Sequence, residues 1–243
     1  ILIVGSGAIG IEWSRILSAF DVQVTVVELA PRLTPLADWE VSKRIERFFK
    51  MKKIKTYLST SIEKIEDKKV HLSNGEILEP ECILSAVGRE SVKPDIKINV
   101  KCIGDACDEI QLAHYAMSQA KEIVFDIPFD KNIVPAVIYG TPEIAWVGEV
   151  SKSKEDDEKY DKAMIPISAL GKSHCDNNID GFIKILAKDG KIKGASIISK
   201  EASSLIQQIT IAMQNDLSIE DLKKVCFAHP TYSEGIFEGV MNL

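Results

Sequence analysis

The sequence predicts an α/β fold in its first part and an α+β fold in its last part. At the start, a short apolar run leads directly into the pattern G-x-G-x-x-G at Gly5–Gly10, and a second apolar run over 22–27 ends in an acid, Glu28. A strand, a glycine-rich turn, a helix and a second strand ending in an acid indicate a Rossmann-like nucleotide-binding domain. The α+β prediction rests on an Asp-Gly turn at 189–190 between two apolar runs, followed by helical patterns.

Each residue of the opening motif has a physical role. Gly5 permits the tight turn after the strand, Gly7 lets the backbone approach a pyrophosphate, and Gly10 lets the following helix pack against the strand. The helix N-terminus offers unpaired N–H groups and a partial positive charge. Glu28 stands where a carboxylate accepts hydrogen bonds from the adenosine ribose. We therefore predict a dinucleotide site; the alternative is an ordinary glycine-rich turn.

Composition excludes several functional classes. The 243 residues are 45% hydrophobic, enough for a sizeable core, and the net charge of −6 comes without any basic stripe that would suggest nucleic-acid binding. The longest apolar runs are too short to span a bilayer. An odd count of scattered cysteines favours a reducing compartment over a disulfide framework, and no spacing predicts a metal site. The cysteines are Cys82, Cys102, Cys107, Cys175 and Cys226.

Hydrophobic periodicity and turn residues assign the elements of the first part in order. They are a helix over 11–20, a strand over 22–28, a helix over 39–53 with a solvated basic face, short strands over 55–58, 62–65 and 69–72, an Asn-Gly hairpin over 73–78, and a buried parallel strand over 82–87. This order predicts a nucleotide-binding domain over residues 1–95.

The last part mixes strands with helices. The assignments are a buried run over 98–103, a helix over 112–125, strand character over 134–147, a charged exposed segment over 152–161, paired strands over 181–187 and 193–199, and helices over 202–215 and 218–226. This pattern predicts a second domain over residues 128–243.

Six motifs, in the same order along the chain, resemble the pyridine-nucleotide disulfide oxidoreductases, and most closely the dihydrolipoamide dehydrogenases. They are Gly5–Glu12, Ala86–Arg89, Ile103–Asp105 with Leu112–His114, Pro142–Gly148, Asp180–Lys184, and His229-Pro230-Thr231-x-Ser233-Glu234. The resemblance implies an FAD domain split in sequence by an NAD domain, then an interface domain that forms a homodimer. The implied boundaries are 1–95 for the NAD-binding domain, 96–127 for the remnant of the split FAD domain, and 128–243 for the dimerisation domain.

The resemblance also implies which residues bind the cofactors NAD and FAD. For NAD these are Gly5, Ser6, Gly7, Ala8, Ile9, Gly10, Ile11, Glu12, Glu28, Ile62 and Gly88. For FAD they are Asp105 at the ribityl chain and Gln111, Leu112, Ala113 and His114 at the helix start facing the flavin ring. An acid at position 28 favours NAD over NADP, because it would repel a 2′-phosphate. The alternatives are a helix-capping turn for Asp105 and packing roles for Leu112 and His114.

The catalytic pair implied by the resemblance is His229 and Glu234. Disulfide exchange needs a base that takes a thiol proton, because the thiolate is the nucleophile. Imidazole titrates near neutral pH, and a carboxylate bonded to it fixes its tautomer and stabilises its charged form. In the family's dimer this histidine serves the disulfide of the other subunit. The alternative is a capped helix start, with Thr231 or Ser233 as the cap.

Two departures from the family pattern affect what the chain alone can do. The family's first segment carries its own G-x-G-x-x-G and a C-x-x-x-x-C redox pair, and neither precedes the glycine loop in this sequence. Residue 1 lies inside a strand, and we interpret it as an artificial or unobserved beginning. Cys102 and Cys107 have the redox spacing but bracket Gly104-Asp105, so we interpret them as non-catalytic. The stretches 66–70 and 88–105 are shorter than is usual in the family.

The function implied is dihydrolipoyl dehydrogenase, which oxidises dihydrolipoamide and passes the electrons through FAD to NAD. Its partners would be the lipoyl domain of a 2-oxo acid dehydrogenase complex or the glycine cleavage H protein, in an organelle matrix or the bacterial cytoplasm. One alternative is another disulfide reductase, such as glutathione reductase, although Glu28 argues against it. Another is an inactive fragment that acts as an NAD-binding and dimerisation module. A simple two-substrate dehydrogenase is disfavoured, since no catalytic Ser/Tyr/Lys or His set lies near the glycine loop.

Overall fold

The computed structural model describes residues 1–95, 97–107 and 110–243. The helices are α1 (Ala8–Ala19), α2 (Trp39–Met51), α3 (Ala113–Phe125), α4 (Lys154–Asp157), α5 (Gly171–Cys175), α6 (Ala202–Gln214), α7 (Ile219–Lys223) and α8 (Glu234–Met241). The strands are β1 (Leu2–Val4), β2 (Thr25–Val27), β3 (Lys55–Tyr57), β4 (Ile62–Glu66), β5 (Lys69–Leu72), β6 (Ile77–Leu78), β7 (Ile83–Ser85), β8 (Ala136–Ile138), β9 (Glu143–Gly148), β10 (Asp161–Pro166), β11 (Phe182–Lys188) and β12 (Lys191–Ser199). They form two compact units, one of residues 1–87 with 135–243 and one of residues 88–134.

The N-terminal half, predicted to bind a nucleotide, is built on a parallel sheet with the strand order β3-β2-β1-β7. Ile3 of β1 pairs with Val26 of β2 on one side and with Leu84 of β7 on the other. Ile3 and Val26 are fully buried and form one core cluster with Ile11 of α1 and Phe49 of α2. The predicted α/β class and the strand–turn–helix–strand order are confirmed.

The strand predicted as buried over 82–87 is a short edge strand instead. It covers only Ile83–Ser85, and both Ile83 and Ser85 are exposed. It lies at the end of the sheet order and pairs only with β1 in this sheet. The apolar run over 82–87 therefore indicated a strand correctly but not its burial.

A small antiparallel sheet of β4, β5 and β6 is inserted before β7. The predicted Asn-Gly hairpin joins β5 to β6: Gly75 adopts a positive φ of 86°, and the Asn74 side-chain oxygen accepts a hydrogen bond from the Glu76 N–H at 3.0 Å. Val70 and Leu72 of β5 are buried against Leu2, Val27 and Tyr57 of the parallel sheet. The insertion is thereby fixed to the nucleotide-binding half.

The C-terminal half is built on a five-stranded antiparallel sheet with the order β10-β11-β12-β9-β8. The predicted hairpin of β11 and β12 turns at Asp189-Gly190, both at positive φ. The segment over 134–147 splits into two strands, because the turn around Pro142 interrupts it. Helix α6 buries Leu205, Ile206 and Ile209.

The unit of residues 88–134 contains α3 and a short 3₁₀ turn at Gly104–Ala106. The helix predicted over 112–125 is confirmed at Ala113–Phe125. The buried strand predicted over 98–103 was wrong: residues 98–103 form no strand, and Ile98 and Val100 are exposed. An apolar run becomes a strand only beside a partner strand, and the described part of this unit supplies none.

The charged segment over 152–161 was predicted to be exposed, but one of its acids is not. Asp157, at the end of α4, is 2% exposed and receives hydrogen bonds from Lys184 at 2.6 Å and from Lys162 at 3.1 Å. Because its neighbours in sequence are mostly charged, the burial of Asp157 could not be predicted from the local pattern. A carboxylate is buried only with partners such as these two lysines.

Within the residues that the structure describes, no helix combines the length and apolarity needed to cross a membrane.

We predict that the stability of the chain falls between about pH 4 and pH 2 because of Asp157. Burial raises the pKa of this carboxyl, but the hydrogen bonds from Lys184 and Lys162 outweigh burial and bring its pKa to about 2. The unfolded state then binds the proton more readily than the folded state, so acid favours unfolding. The contribution, about 2 kcal/mol, is complete above pH 4 and lost as the pH falls to 2.

Urea unfolding measured from pH 2 to pH 6 would test this. The unfolding free energy of the unsubstituted chain should decrease between pH 4 and pH 2. In Asp157→Asn this decrease should be smaller by about 2 kcal/mol. An equal pH dependence of both proteins would contradict the role given to Asp157.

Candidate functional site

The glycine loop has two glycines that are packed and one that is open. Gly5 has a φ of 97°, and a Cβ there would lie 2.4 Å from the Ala86 carbonyl oxygen. A Cβ on Gly10 would lie 2.0 Å from the Gly5 carbonyl oxygen. Around Gly7, in contrast, a Cβ would meet no atom within 4 Å. The first two glycines therefore permit the fold of the loop, and Gly7 leaves space above it.

The N-terminus of α1 faces this space. Its N-cap residue is Gly7, which has no side chain to cap the helix. Gly7, Ala8 and Ile9 are exposed. The first N–H groups of a helix have no acceptor within the helix, and they carry the positive end of the helix dipole. The loop therefore presents backbone N–H donors to an open space, an arrangement that suits a diphosphate.

Glu28 follows β2 and turns back under the glycine loop. Its Oε2 accepts hydrogen bonds from the Ser6 N–H at 2.8 Å and from the Ser6 hydroxyl at 2.6 Å, and its Oε1 accepts one from the Ala30 N–H at 2.7 Å. The residue is 8% exposed. A carboxylate has about four accepting positions, so Oε1 retains one for a further donor such as a ribose hydroxyl.

The remaining residues predicted for NAD differ in where their side chains lie. Ser6 and Ile11 are fully buried, and Ile11 belongs to the core. Glu12 accepts a hydrogen bond from the Tyr139 N–H at 2.8 Å, which ties α1 to the loop after β8. Ile62 begins β4 and is half-buried, while Gly88 has a φ of 105° and belongs to the other unit.

The residues predicted for FAD lie within the unit of residues 88–134. Asp105 is exposed and forms an ion pair with Arg89, at 3.0 Å from guanidinium nitrogen to carboxylate oxygen. Arg89 also donates to the Gln111 carbonyl at 3.2 Å. Leu112 is the N-cap of α3, without a side-chain capping bond, so Ala113 and His114 form the first turn. Arg89 thus links the exposed Asp105 carboxylate to the segment just before α3, and this carboxylate can accept hydrogen bonds from hydroxyl groups.

His229 and Glu234 are brought together as predicted. The His229 Nδ1 lies 2.8 Å from Glu234 Oε1, and the other carboxylate oxygen accepts from the Thr231 N–H at 2.9 Å. The His229–Pro230 peptide is cis, and Ser233 is the N-cap of α8 without a side-chain capping bond. Glu234 is therefore held by the histidine and by the backbone together.

The histidine is exposed, and its outer nitrogen is accessible. The His229 side chain is 76% exposed, against 25% for Glu234. The carboxylate accepts only a donor, which places the proton of the neutral imidazole on Nδ1 and leaves a lone pair on Nε2. The hydrogen bond from His229, and then that from the Thr231 N–H, lower the pKa of the Glu234 carboxyl. The pair can therefore take a proton from a thiol that approaches the surface.

Among the described residues, the cysteines form no disulfide bond with one another, and Cys102 is exposed. The interpretation of Cys102 and Cys107 as non-catalytic stays a prediction. Within the described ranges, His, Cys, Asp and Glu side chains form no cluster of three or more that could hold a metal ion.

Sequence reasoning missed a buried charged cluster, which consists of Asp38, Asp157 and Lys184. Lys184 is 1% exposed in the centre of β11, and its ammonium donates to both carboxylates. The signal was present: a lysine inside the apolar run Phe182–Leu186 occupies a position that should face the core. The signal for Asp38 was its place directly before a helix, which is typical of an N-cap.

Two family models together match most of the chain. The model described as pyridine nucleotide-disulphide oxidoreductase matches residues 1–103, and the model of the dimerisation domain of the same family matches residues 134–239.

Curated relatives agree with these models. The chain is 32% identical to the dihydrolipoyl dehydrogenase of Mycobacterium leprae, covering 98% of this chain and 60% of that protein. It is 30% identical to the mitochondrial dihydrolipoyl dehydrogenase of Dictyostelium discoideum, covering 100% of this chain and 58% of that protein. The chain thus spans less than two thirds of the length of the relatives that it matches.

Solved structures show the same fold at lower identity. LpdA from Mycobacterium tuberculosis superposes with a TM-score of 0.85 at 22% identity, over 99% of this chain and 60% of that one. The HOCl-induced flavoprotein disulfide reductase RclA from Escherichia coli superposes with a TM-score of 0.83 at 19% identity, over 99% of this chain and 64% of that one.

Proposed function

Because the chain belongs to the pyridine nucleotide-disulphide oxidoreductase family, we propose that its protein is a dihydrolipoyl dehydrogenase, which oxidises dihydrolipoamide to lipoamide with FAD and NAD as cofactors. The single observation that carries the proposal is the exposed His229, with Glu234 bonded to its Nδ1. The identity of about 30% to enzymes of that name supports the choice of substrate.

The glycine loop is the proposed NAD site. The open space at Gly7 and the uncapped N-terminus of α1 fit a pyrophosphate. Glu28 would accept a ribose hydroxyl through the free position on Oε1. Its charge, held under the loop by Ser6, would repel the 2′-phosphate of NADP.

Asp105 and the start of α3 are the proposed contribution of this chain to the flavin site. The exposed carboxylate of Asp105 suits the ribityl hydroxyls, and the backbone at Leu112, Ala113 and His114 would lie against the ring. FAD, when bound, supplies two-electron transfer between a thiol pair and the nicotinamide. The described residues of this chain would bind and orient it.

His229 is the proposed base. Its Nε2 would take the proton from a thiol of dihydrolipoamide, so that the S–H bond breaks, an N–H bond forms and the electron pair stays on sulfur. The resulting imidazolium would be stabilised by the Glu234 carboxylate, whose lowered pKa keeps it ionised at neutral pH. The thiolate is then the nucleophile for disulfide exchange.

The dimerisation domain supports a homodimer, in which the exposed His229 would face a redox disulfide of the other subunit. The proposed partner is a lipoyl domain of a 2-oxo acid dehydrogenase complex or the glycine cleavage H protein. The corresponding location is an organelle matrix or the bacterial cytoplasm, since the relatives include mitochondrial enzymes and two bacterial ones.

Two other functions can be separated from this one by experiment. A glutathione reductase would require NADPH, against which Glu28 argues. A module that only binds NAD and dimerises would retain the glycine loop without need of the His229–Glu234 pair.

The test is a steady-state assay of the flavin-loaded protein with two substrate pairs. We expect NAD⁺-dependent oxidation of dihydrolipoamide and little NADPH-dependent reduction of glutathione disulfide. The reverse preference would identify a glutathione reductase. Activity with neither pair, in protein that binds flavin and NADH, would overturn the proposal.

A further inference from the structure

Three buried charges connect the two halves of the larger compact unit. The Lys184 ammonium lies 2.9 Å from an Asp38 carboxylate oxygen and 2.6 Å from an Asp157 carboxylate oxygen. The three side chains are each at most 3% exposed. Among the described residues, Lys184 is the sole cation within ion-pair distance of Asp38. We call these three residues the buried charge cluster.

The cluster joins elements that are far apart in the chain. Lys184 lies in the centre of β11, whereas Asp38 is the N-cap of α2 and accepts from the Glu40 N–H at 2.9 Å. The Ser151 N–H also donates to Asp38, at 3.3 Å. The start of α2 is therefore fixed to the antiparallel sheet by charge as well as by backbone bonds.

From Asp38 the chain runs back to the proposed adenosine site through one short loop. This loop, residues 29–37, begins directly after Glu28. In its middle, the Thr34 N–H donates to the Ser6 carbonyl and lies 3.2 Å from the Ser6 hydroxyl oxygen. Arg32 closes the loop internally, donating to the carbonyls of Pro35 and Ala37. The loop is thus held at one end by the glycine loop and at the other by Asp38. Between them, Ser42 of α2 donates to the Leu33 carbonyl, and Lys152 donates to the Pro35 and Leu36 carbonyls.

Removing the lysine would leave buried carboxylates without their counter-charge. Breaking a buried ion pair at one partner is strongly unfavourable, because the remaining charge is neither solvated nor paired. Asp157 would retain Lys162, which is partly exposed, whereas Asp38 would retain backbone N–H donors and only the longer-range attraction of Arg32 and Lys152. Asp38 would be drawn toward water, and the start of α2 and the loop before it would move with it.

We propose that Lys184 is a positioning residue for the adenosine end of the nucleotide site. By neutralising Asp38 it fixes the loop 29–37, and through that loop it keeps Glu28 and Ser6 in the arrangement that accepts the ribose. The inference rests on the proposed NAD site and assigns to the C-terminal half a role in it.

The test uses two overlapping parts of the cofactor as separate probes by calorimetry. They are ADP-ribose, which is NAD without the nicotinamide, and reduced nicotinamide mononucleotide, which lacks the adenosine. In Lys184→Met, a substitution of similar length without charge, we expect ADP-ribose to bind about fivefold more weakly. Reduced nicotinamide mononucleotide should bind within about twofold of the unsubstituted chain, since it makes no contact with the ribose acid. A merely structural loosening would weaken both probes equally.

Two further variants keep the test decisive. Ile185→Val removes a buried methyl group from the same strand without touching a charge, and it should leave ADP-ribose binding unchanged. If Lys184→Met does not fold, Lys184→Gln removes the same positive charge but keeps a polar side chain beside the carboxylates, and it should show the same selective loss.

Three outcomes would contradict the proposal in distinguishable ways. Unchanged ADP-ribose affinity in folded Lys184→Met, or in Lys184→Gln where Lys184→Met does not fold, overturns the positioning role. Equal weakening of both probes also overturns it. If the unsubstituted chain binds no ADP-ribose, the proposed NAD site itself fails.

Discussion

Replacing Gly10 with alanine should abolish NADH binding and destabilise the chain severely. The new Cβ would lie 2.0 Å from the Gly5 carbonyl oxygen and 3.0 Å from its carbon, so the backbone of the glycine loop must move. Overpacking against side chains typically costs about 1–3 kcal/mol, and a backbone obstacle cannot rotate away. We expect a loss of at least about 3 kcal/mol in unfolding free energy and no measurable NADH binding.

Gly7→Ala is the matched control for this prediction. A Cβ at Gly7 meets no atom within 4 Å, and its φ of −69° suits any residue. This variant should fold with nearly unchanged stability but bind NADH more weakly, because the methyl group occupies the space proposed for the pyrophosphate. Normal melting and normal NADH binding of Gly10→Ala would show that the loop does not have the described geometry.

Replacing His229 with alanine should reduce the oxidation of dihydrolipoamide about 1,000-fold, within the range of 10² to 10⁴ that a positioned base contributes. The variant loses the exposed Nε2 and with it the acceptor for the thiol proton. The NADH affinity should not change, because the glycine loop is untouched. Steady-state rates with dihydrolipoamide and NAD⁺, measured on flavin-loaded protein, provide the test.

Two variants define the specificity of that effect. Glu234→Gln should lower the rate less than His229→Ala, since the imidazole remains but its charged form loses the carboxylate bonded to Nδ1. His174→Ala removes another exposed histidine, whose Nε2 lies 2.8 Å from the Ser168 carbonyl oxygen, and it should leave the rate unchanged. A His229→Ala protein with more than about a tenth of the normal rate would contradict the assignment of the base.

Local patterns were sufficient for most of the nucleotide-binding half. The glycine loop, the helix after it and the Asn-Gly hairpin depend on turn chemistry and periodicity that neighbouring residues determine. The pairing of His229 with Glu234 was expected from a six-residue motif, and the structure places the two side chains 2.8 Å apart. These features depend on residues close together in sequence.

Features that depend on distant neighbours could not be predicted in the same way. The apolar run over 98–103 has the pattern of a strand, but the described part of its surroundings contains no strand with which it could pair. Asp157 looks exposed because its neighbours are charged, and only Lys184, far away in the sequence, explains its burial. Likewise, the bonds from Ser6 to Glu28 arise where a turn and a strand end meet.

Titration of the 243-residue chain with NADH and with NADPH, followed by nicotinamide fluorescence, tests the central claim most directly. The account predicts saturable binding of NADH and at least about tenfold weaker binding of NADPH, because the proposed site puts the Glu28 carboxylate beside the 2′-phosphate. Glu28→Gln should reduce that preference. Equal or tighter binding of NADPH, or no binding of either nucleotide, would contradict the claim that the glycine loop and Glu28 form an NAD site.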